Sequence, residues 1–296
     1  MKSGFVSILG RPNAGKSTLL NRLVGTKVAI VADKPQTTRE VIQGIVNRPG
    51  AQIVLLDSPG IHQPRDTLNR RMMREVHNVL EARDLLILMV DTTVPFGDDD
   101  DHAVRLIDSA RTATLLVLNK IDRLGRKDLL LPLIDRYRRL FSFEEYLPIS
   151  ALDGDGVAEL EAAVISRLPE GPEYFPPDHV TDQPLRRLAS ELVREKVFQL
   201  THREVPYSTA VAIDLFEEGA SLFRIAATIY VERDGQKGII IGSGGQRLKQ
   251  IGAEARQEME SLFGRQVFLQ LHVKVRAGWR QSDSFLDALD WRRQAV

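Results

Sequence analysis

The segment 10–17, GRPNAGKS, contains the residues best suited to chemistry, and it fits the pattern G-x-x-x-x-G-K-[ST]. Its glycines let the backbone wrap around a phosphate with N–H groups pointing inward. Lys16 can reach the β- and γ-phosphates of a nucleotide, and Ser17 can bind Mg²⁺. The segment predicts a nucleotide site, with a glycine-rich strand-to-helix turn as the alternative. The predicted contacts are Asn13, Ala14, Gly15, Lys16, Ser17 and Thr18.

Three further motifs follow in chain order, each directly after a predicted strand. In 57–60, DSPG, Asp57 can hold Mg²⁺ through water, and the amide of Gly60 can approach a γ-phosphate because glycine has no Cβ. In 119–122, NKID, a carboxylate can accept hydrogen bonds from N1–H and the 2-amino group of guanine, a pair that adenine lacks. In 150–152, SAL, a backbone amide can meet the guanine carbonyl. These motifs add Asp57, Gly60, Asn119, Lys120, Asp122, Ser150, Ala151 and Leu152 to the predicted contacts.

Alternating strands and helices must position these motifs. Near-continuous apolar runs predict strands at 5–9, 43–47, 53–57, 85–91, 114–119 and 146–149. Helical patterns lie near 16–24, 69–82, 99–110, 127–141 and 157–168. This alternation predicts an α/β fold with a mostly parallel, doubly wound sheet, whose ligands bind at the carboxyl ends of the strands. The second and third strands are joined by a short turn at Pro49-Gly50, so this pair must be antiparallel and the sheet mixed.

A proline-rich segment divides the chain. Four prolines between residues 169 and 178 exclude a helix interior or a central strand and predict a semi-rigid linker. We therefore expect a nucleotide domain at 1–168, a linker at 169–181 and a smaller domain at 182–296. In the smaller domain, a helix begins near 182, strands lie at 207–216 and 222–231, a helical stretch covers 236–263, and a last strand covers 266–275. This order predicts an α+β domain, with a tail that contains Trp279 and Trp291 packed back on a domain.

The segment 242–245, GSGG, lies between two predicted helices of the smaller domain. With the flanking sequence IIIGSGGQRLK and the order α-β-β-α-α-β, it resembles a type II KH domain, whose G-x-x-G loop clamps single-stranded RNA. The alternative is a structural turn. The resemblance implies RNA contacts from Lys237, Ile241, Gly242, Ser243, Gly244, Gly245, Arg247 and Lys249. KH loops often carry a basic residue between the glycines, and its absence here predicts weaker attraction to phosphate.

The four nucleotide motifs together resemble the Ras-like GTPase superfamily, and a GTPase domain followed by a KH domain over nearly the whole chain resembles its Era branch. The segment 34–39, KPQTTR, matches the first switch of that branch and implies Thr38, ahead of Thr37, as a Mg²⁺ ligand beside Ser17 and Asp57. The segment 273–279, VKVRAGW, resembles the last strand and turn of that branch. The resemblance implies binding of GTP and GDP with Mg²⁺, GTP hydrolysis, and binding to the 3′ end of the small-subunit (16S) ribosomal RNA during assembly of the small ribosomal subunit.

Two positions bear on catalysis. Ras-type enzymes use a glutamine after D-x-x-G to orient the attacking water, and Ile61 in that position predicts slow intrinsic turnover. By resemblance, Asn13 helps to bind a K⁺ ion at the phosphates, and a loop-shaping role is the alternative. The predicted catalytic residues are Lys16, Thr38, Gly60 and Asn13. The acidic run 98–101 precedes a helix, which favours capping over metal binding.

Composition narrows the classes further. The chain has 40 basic and 40 acidic residues, and this balance excludes a uniformly basic protein that coats nucleic acid. It has no cysteine, which excludes disulfides and thiol chemistry. We expect a cytoplasmic protein without a secretory signal or a membrane-spanning segment, and the resemblance implies peripheral contact with the inner face of the cell membrane.

Two alternative functions remain: a nucleotide-gated RNA-binding module with negligible hydrolysis, and a tRNA-modification GTPase of the same branch. An ATPase is less favoured, because adenine lacks the two donors, N1–H and the 2-amino group, from which Asp122 would accept hydrogen bonds.

Overall fold

The computed structural model describes residues 1–62, 64, 66–81, 83–290 and 292. Its contacts divide the chain into two compact units. The first unit comprises residues 1–64 and 69–182, and the second comprises residues 183–296 together with 65–68. Trp291, which we expected to pack with the tail, lies outside the described residues.

The first unit is built on a sheet of order β2-β3-β1-β4-β5-β6. Its strands are β1 (Lys2–Gly10), β2 (Ile42–Arg48), β3 (Ala51–Asp57), β4 (Leu85–Asp91), β5 (Thr114–Asn119) and β6 (Glu145–Ile149). Its helices are α1 (Lys16–Val24), α2 (Thr67–Val79), α3 (Asp98–Ala110), α4 (Leu130–Leu140) and α5 (Val157–Arg167). The pairs are parallel except β2 with β3, which is antiparallel. The predicted mixed, mostly parallel sheet is confirmed.

Helices cover both faces of this sheet. In β4, Leu85 and Ile87 join a core with side chains from α1 and α5, whereas Leu86 and Leu88 join a core with α2, α3 and α4. Successive residues of a strand point to opposite faces, so a run that is apolar throughout is what two covered faces require. Strands β1, β3, β5 and β6 end together at one edge of the sheet, and this edge carries the predicted motifs.

One predicted helix of the first unit is shorter than expected. The stretch 127–141 contains a 3₁₀ turn at Lys127–Leu129, followed by α4 from Leu130. Pro132 explains the break, because inside a longer helix its ring would clash with the carbonyl of residue 128. In the first turn of α4 it is tolerated, since N–H groups there have no intrahelical partner.

The proline-rich segment is fastened along the edge strand β2 of the first unit. The N–H of Ile45 donates to the carbonyl of Val180 at 2.9 Å, and the Thr181 hydroxyl donates to the carbonyl of Gln43 at 2.7 Å. The side chain of Gln52, which is fully buried, donates to the carbonyl of Phe175 and accepts from the N–H of Tyr174, both at 2.7 Å. The segment therefore forms part of the first unit up to residue 182.

The second unit has the order α-β-β-α-α-β that the sequence predicts. Its elements are α6 (Leu185–Leu200), β7 (Ala210–Glu218), β8 (Leu222–Val231), α7 (Asp234–Ile241), α8 (Gln246–Phe263) and β9 (Gln266–Val275), followed by α9 (Asp283–Leu289). The sheet order is β7-β8-β9, with β7 antiparallel and β9 parallel to β8. Side chains of α6, α7 and α8 pack with the sheet in one core.

The start of β7 differs from the prediction, and the packing of Trp279 agrees with it. Strand β7 begins at Ala210 and not at 207, because Pro206–Ser208 form a 3₁₀ turn. Trp279 is fully buried, and its indole N–H donates to the carbonyl of Ser208 at 2.9 Å. The tail therefore packs on this unit through Trp279, as expected. Across the described residues, none of the helices combines the length and the apolar character that a membrane crossing requires.

Candidate functional site

A cleft opens at the carboxyl edge of the first sheet, where the predicted motifs meet. The predicted contacts that line it are Asn13, Gly15, Lys16, Ser17, Thr18, Gly60, Asn119, Lys120, Asp122, Ala151 and Leu152. Ala14, Asp57 and Ser150 do not line the cleft and are almost fully buried. The lining also includes both threonines of the 34–39 segment, of which Thr38 is the predicted Mg²⁺ ligand. Further lining residues were not among the predicted contacts, namely Pro12, Ile30, Val31, Ala32, Asp33, Gln36 and Arg123.

The phosphate-binding loop packs closely against the other motifs. Gly15 has φ +98°, and a Cβ there would lie 2.3 Å from Nδ2 of Asn119. A Cβ on Gly60 would lie 2.6 Å from the backbone nitrogen of Pro12. Since real Cβ atoms do not approach other atoms so closely, both positions require glycine. The loop is thereby held in contact with the motif after β3 and the motif after β5.

Lys16 is buried at the floor of the cleft and is 6% exposed. Its Nζ donates to the carbonyls of Gly10 at 3.2 Å and Arg11 at 3.0 Å. Burial lowers the pKa of Lys16 to about 8, although the charge of Asp57 opposes this shift. A cation that is removed from water in this way interacts strongly with any anion that enters the cleft.

Three oxygen ligands converge beside Lys16. The Ser17 hydroxyl donates to Asp57 Oδ2 at 2.6 Å, and the Thr38 hydroxyl lies 2.9 Å from Ser17 Oγ and 3.3 Å from Asp57 Oδ2. Burial raises the pKa of Asp57 to about 6, opposed by Lys16 and by these hydrogen bonds. Asp57 Oδ1 is buried and accepts no hydrogen bond from any described residue. Hard oxygen ligands with unused acceptor capacity fit Mg²⁺.

The neighbouring threonine has a different contact. The Thr37 hydroxyl donates to the carbonyl of Lys34 at 2.7 Å, within its own loop. Thr38 is the member of the pair whose hydroxyl reaches both Ser17 and Asp57. This geometry favours Thr38 over Thr37 as a Mg²⁺ ligand.

Asn119 connects two loops at the base end of the cleft, the end that carries the motifs after β5 and β6. Its Nδ2 donates to the carbonyl of Ala14 at 2.7 Å, and its Oδ1 accepts from the N–H of Ala151 at 2.9 Å. The Lys120 Nζ donates to Asp91 at 2.6 Å. Burial acts to raise the pKa of Asp91, but the bonds from Lys120 and Thr93 outweigh it and hold the pKa below its ordinary value. The phosphate-binding loop and the 150–152 loop are thus joined through one side chain.

The acidic run at the start of α3 has a structural role, as expected. Asp100 Oδ2 accepts from the N–H of Gly97 at 2.9 Å, which is the predicted capping interaction. The same carboxylate accepts from Arg11 at 2.8 Å and from the Tyr137 hydroxyl at 3.0 Å. The bond from Arg11 to Asp100 also holds the phosphate-binding loop against α3. Sequence motifs did not indicate this bond, because the two residues are far apart in the sequence. The described residues contain no cluster of three or more histidine or acidic side chains that could hold a metal ion.

Ile61, the position after D-x-x-G, points into the protein core. Its side chain is fully buried and packs with Leu9, Met73 and Val76. It therefore cannot orient a water molecule in the cleft. The next residue, His62, contacts the carbonyl of Gly60 and Oδ1 of Asn69, each at 2.7 Å from a ring nitrogen.

In the second unit, the G-x-x-G loop connects α7 to α8. Gly242, Gly244 and Gly245 have φ of +73°, +55° and +79°, values that non-glycine residues rarely adopt. A Cβ on Gly242 would lie 2.8 Å from Cβ of Arg247, whereas a Cβ on Gly244 or Gly245 would meet nothing within 4 Å. The backbone of the loop is therefore open to an approaching phosphate.

Some side chains around this loop are buried in the core, and others are exposed at the surface. Ile240 is fully buried in the core of the second unit, whereas Ile239 is 41% exposed. Arg247 donates to the carbonyl of Ile239 at 2.5 Å, so its guanidinium also ties α8 to α7. Lys249 is exposed on the same helix. The apolar residues before the loop thus serve partly as core and partly as surface.

Comparisons with known proteins agree with this two-part organisation. A sequence family described as "50S ribosome-binding GTPase" matches residues 5–120, and one described as "KH domain" matches residues 204–280. GTPase Era of Geobacter metallireducens is 49% identical over 292 residues, covering 98% of each chain. GTPase Era of Staphylococcus haemolyticus is 46% identical over 286 residues, covering 96% of this chain and 95% of that protein.

Two solved structures are similar over nearly the whole chain. One is a variant of Aquifex aeolicus Era bound to GDP and AlF₄⁻, and the other is Era in complex with MgGDPNP and nucleotides 1506–1542 of 16S ribosomal RNA. Each has a TM-score of 0.95 and 43% identity, and covers 98% of this chain and 99% of the other. With the phosphate-binding cleft of the first unit and the KH loop of the second, these matches establish that the chain belongs to the Era family of GTPases.

Proposed function

We propose that this protein binds GTP and GDP with Mg²⁺, hydrolyses GTP, and binds the 3′ end of 16S ribosomal RNA during assembly of the small ribosomal subunit. The observation that carries the nucleotide part is one cleft that combines Lys16, the Ser17–Thr38–Asp57 oxygen cluster, and Asn119 with Asp122. Family membership and the solved Era complex with ribosomal RNA support the RNA part.

At the phosphate end, Lys16 and the amides of the loop pair with the β- and γ-phosphates, and Gly60 donates its amide to the γ-phosphate. Ser17, Thr38 and Asp57 hold Mg²⁺, which neutralises charge between the phosphates when it is bound. The unused Asp57 Oδ1 and the close approach of the three oxygens support this assignment. At the base end, Asp122 accepts from N1–H and the 2-amino group of guanine, which rejects adenine.

Hydrolysis proceeds without a side-chain base at the usual position. Ile61 is fully buried in an apolar cluster, which supports a slow intrinsic rate. We propose that Asn13, which lines the cleft with φ +65°, helps to bind a K⁺ ion that stabilises the charge on the phosphates. Orientation of the substrate and electrostatics then supply most of the rate enhancement.

Nucleotide turnover tests this part. Phosphate release from GTP is measured with Mg²⁺ in KCl and, at equal ionic strength, in NaCl. We expect slow release in KCl and slower release in NaCl. GTP that binds but is not hydrolysed in KCl, even with a 16S 3′-end oligonucleotide present, would contradict hydrolysis and favour the nucleotide-gated binding module. Equal rates in both salts would remove the K⁺ proposal and leave the rest intact.

For the second unit, we propose that the backbone of 242–245 binds phosphates of single-stranded RNA, with Lys237, Arg247 and Lys249 as cations and Ile241 as an apolar contact. The positive φ values of the glycines and the open space beside Gly244 support an approach by phosphate. The ordering of the loops around Thr38 and Gly60 by GTP would regulate RNA affinity.

A labelled oligonucleotide that matches the 16S 3′ end tests the RNA part, measured with GDP and with a non-hydrolysable GTP analogue. We expect tighter binding with the analogue, and much weaker binding of a scrambled oligonucleotide in both states. Equal affinity in the two nucleotide states would contradict the switch. Equal affinity for the scrambled sequence would contradict recognition of the 16S 3′ end.

We also propose a cytoplasmic location with peripheral contact at the inner face of the membrane, a property that the family resemblance supports. Cell fractionation tests it. We expect most of the protein in the supernatant and a minor fraction on membranes that a high-salt wash releases. A membrane fraction that resists salt and is extracted only by detergent would contradict peripheral contact.

A further inference from the structure

The 150–154 loop closes the base end of the cleft, and two of its residues, Ala151 and Leu152, line it. If the proposed function is right, an amide of this loop meets O6 of guanine. The N–H of Ala151 already donates to Oδ1 of Asn119 at 2.9 Å. The next amide along the chain is that of Leu152. The direction of that amide therefore matters for recognition of the base.

Arg22, on helix α1, holds this loop from outside the cleft. Its Nε donates to the carbonyl of Ala151 at 2.6 Å, and its Nη2 donates to the carbonyl of Leu152. A Cβ on Gly154 would lie 2.8 Å from Nη1 of Arg22, so the guanidinium also lies against the following turn. Arg22 itself does not line the cleft.

The planarity of the peptide bond connects this contact to the cleft. The carbonyl of Ala151 and the N–H of Leu152 belong to one trans peptide unit and point in opposite directions. Because Arg22 fixes that carbonyl toward α1, the N–H of Leu152 points away from α1. The next peptide behaves in the same way, since the carbonyl of Leu152 is bound by Arg22 and the N–H of Asp153 donates to Oγ of Ser150 at 3.0 Å.

We propose that Arg22 is a positioning residue for base recognition: by binding the carbonyl of Ala151, it directs the amide of Leu152 toward O6 of guanine. This proposal deepens the proposed nucleotide function and rests on it. Sequence motifs do not indicate Arg22, because it lies in the helix after the phosphate-binding loop and does not line the cleft. The competing explanation is that Arg22 only ties α1 to the loop and stabilises the fold.

Nucleotide analogues separate these two explanations. In 6-thio-GDP, a weak sulfur acceptor replaces O6 while N1–H and the 2-amino group remain. In IDP, O6 and N1–H remain and the 2-amino group is missing. Dissociation constants for GDP, 6-thio-GDP and IDP therefore report the contact to O6 and the contact to Asp122 separately. Melting temperature is measured for every variant.

For Arg22→Gln, we expect the preference for GDP over 6-thio-GDP to fall by about three- to tenfold, the value of one hydrogen bond. The preference for GDP over IDP should stay the same. Arg22→Lys should give an intermediate loss, because an ammonium lacks the planar fork of donors that lets the guanidinium hold two carbonyls in fixed directions. Arg22→Lys replaces Arg22→Gln if that variant does not fold. Arg105→Gln is the matched control, an exposed arginine of α3 paired with Asp101, and should change neither ratio.

An unchanged preference for GDP over 6-thio-GDP in a folded Arg22→Gln variant would overturn the proposal. It would show that the amide of Leu152 does not depend on Arg22, and if all three nucleotides weakened equally, the role of Arg22 would be purely structural. A failure of the proposed function would look different, because the unaltered protein would then show no preference for GDP over ADP.

Discussion

The two candidate sites of this protein are built in opposite ways. The phosphate end of the first site is built from buried side chains. Lys16 and Asp57 are almost fully removed from water; Lys16 donates to backbone carbonyls, and Asp57 accepts from the hydroxyls of Ser17 and Thr38. The loop of the second unit consists of exposed backbone, shaped by Gly242, Gly244 and Gly245. The first site should depend on the identity of individual side chains, and the second on backbone conformation.

Replacement of Lys16 by alanine should have the largest effect. It removes a buried cation that would contact two phosphates and leaves Asp57 without its nearest positive charge. Two charge-assisted hydrogen bonds correspond to about 1,000-fold in affinity. The Kd of a fluorescent, non-hydrolysable GTP analogue, which carries both phosphates, measures it. Lys274→Ala, an exposed lysine on β9, is the control and should leave that Kd unchanged. A loss below tenfold for Lys16→Ala would contradict the contrast between the two sites.

Replacement of Asp122 by asparagine should have the next largest effect and should change specificity as well as affinity. An amide in place of the carboxylate cannot accept from both N1–H and the 2-amino group, so GDP affinity should fall by about 100-fold. Xanthine nucleotides, which carry an oxygen at position 2, should gain affinity. Competition among GDP, XDP and ADP measures the change. A parallel loss for all three nucleotides would indicate a folding defect and not a specificity residue.

In the second unit, Gly242→Ala and Gly244→Ala form a matched pair. Both residues have positive φ, but the new Cβ at 242 would lie 2.8 Å from Cβ of Arg247, whereas at 244 it would meet open space. Strain of about 1–3 kcal/mol predicts an RNA affinity lower by about tenfold or more for Gly242→Ala, and a smaller loss for Gly244→Ala. Titration with the 16S 3′-end oligonucleotide measures both. Equal losses would mean that the contact with Arg247 is unimportant.

Replacement of the exposed Lys249 by glutamine should have the smallest effect. One phosphate contact on the surface predicts a loss of RNA affinity of about threefold and a salt slope that is smaller by about one. Binding is measured at several KCl concentrations. If Lys249→Gln weakened RNA binding more than Gly242→Ala does, the second site would depend on side-chain charge after all. An unchanged slope would place Lys249 outside the contact.

Much of the fold follows from local sequence patterns. The apolar run of β4 begins and ends where the pattern predicts, because a strand covered on both faces leaves a clear signal. Strand β8 also matches its predicted bounds, although exposed and half-buried residues such as Arg224 interrupt its buried side chains. The antiparallel pairing of β2 with β3 follows from the length of the turn alone. The cleft was predictable for a related reason, since each motif is short and follows a strand, and parallel strands bring their carboxyl ends together.

The contacts that support the fold and the cleft join residues far apart in the sequence, and a single sequence does not reveal them. The bond from Arg11 to Asp100 and the grip of Arg22 on the 150–154 loop join segments about 90 and 130 residues apart. Gln52 is polar but fully buried, and its bonds to 174 and 175 could not be inferred from strand periodicity. Such contacts join residues that only the folded chain brings together, so motif matching finds the residues that touch a ligand and misses the residues that support them.

The attachment of residues 177–181 to β2 has a practical consequence for solubility. Strand β2 is the edge of its sheet, and an edge strand with unpaired backbone groups can pair with another molecule and start aggregation. Residues 177–181 cover this edge, and the preceding Pro176 and Pro177 have no N–H to donate to a further strand. A shortened protein that ends at residue 168 would expose β2, and we expect it to precipitate during expression. A shortened protein that ends at residue 182 keeps the cover and should stay in solution.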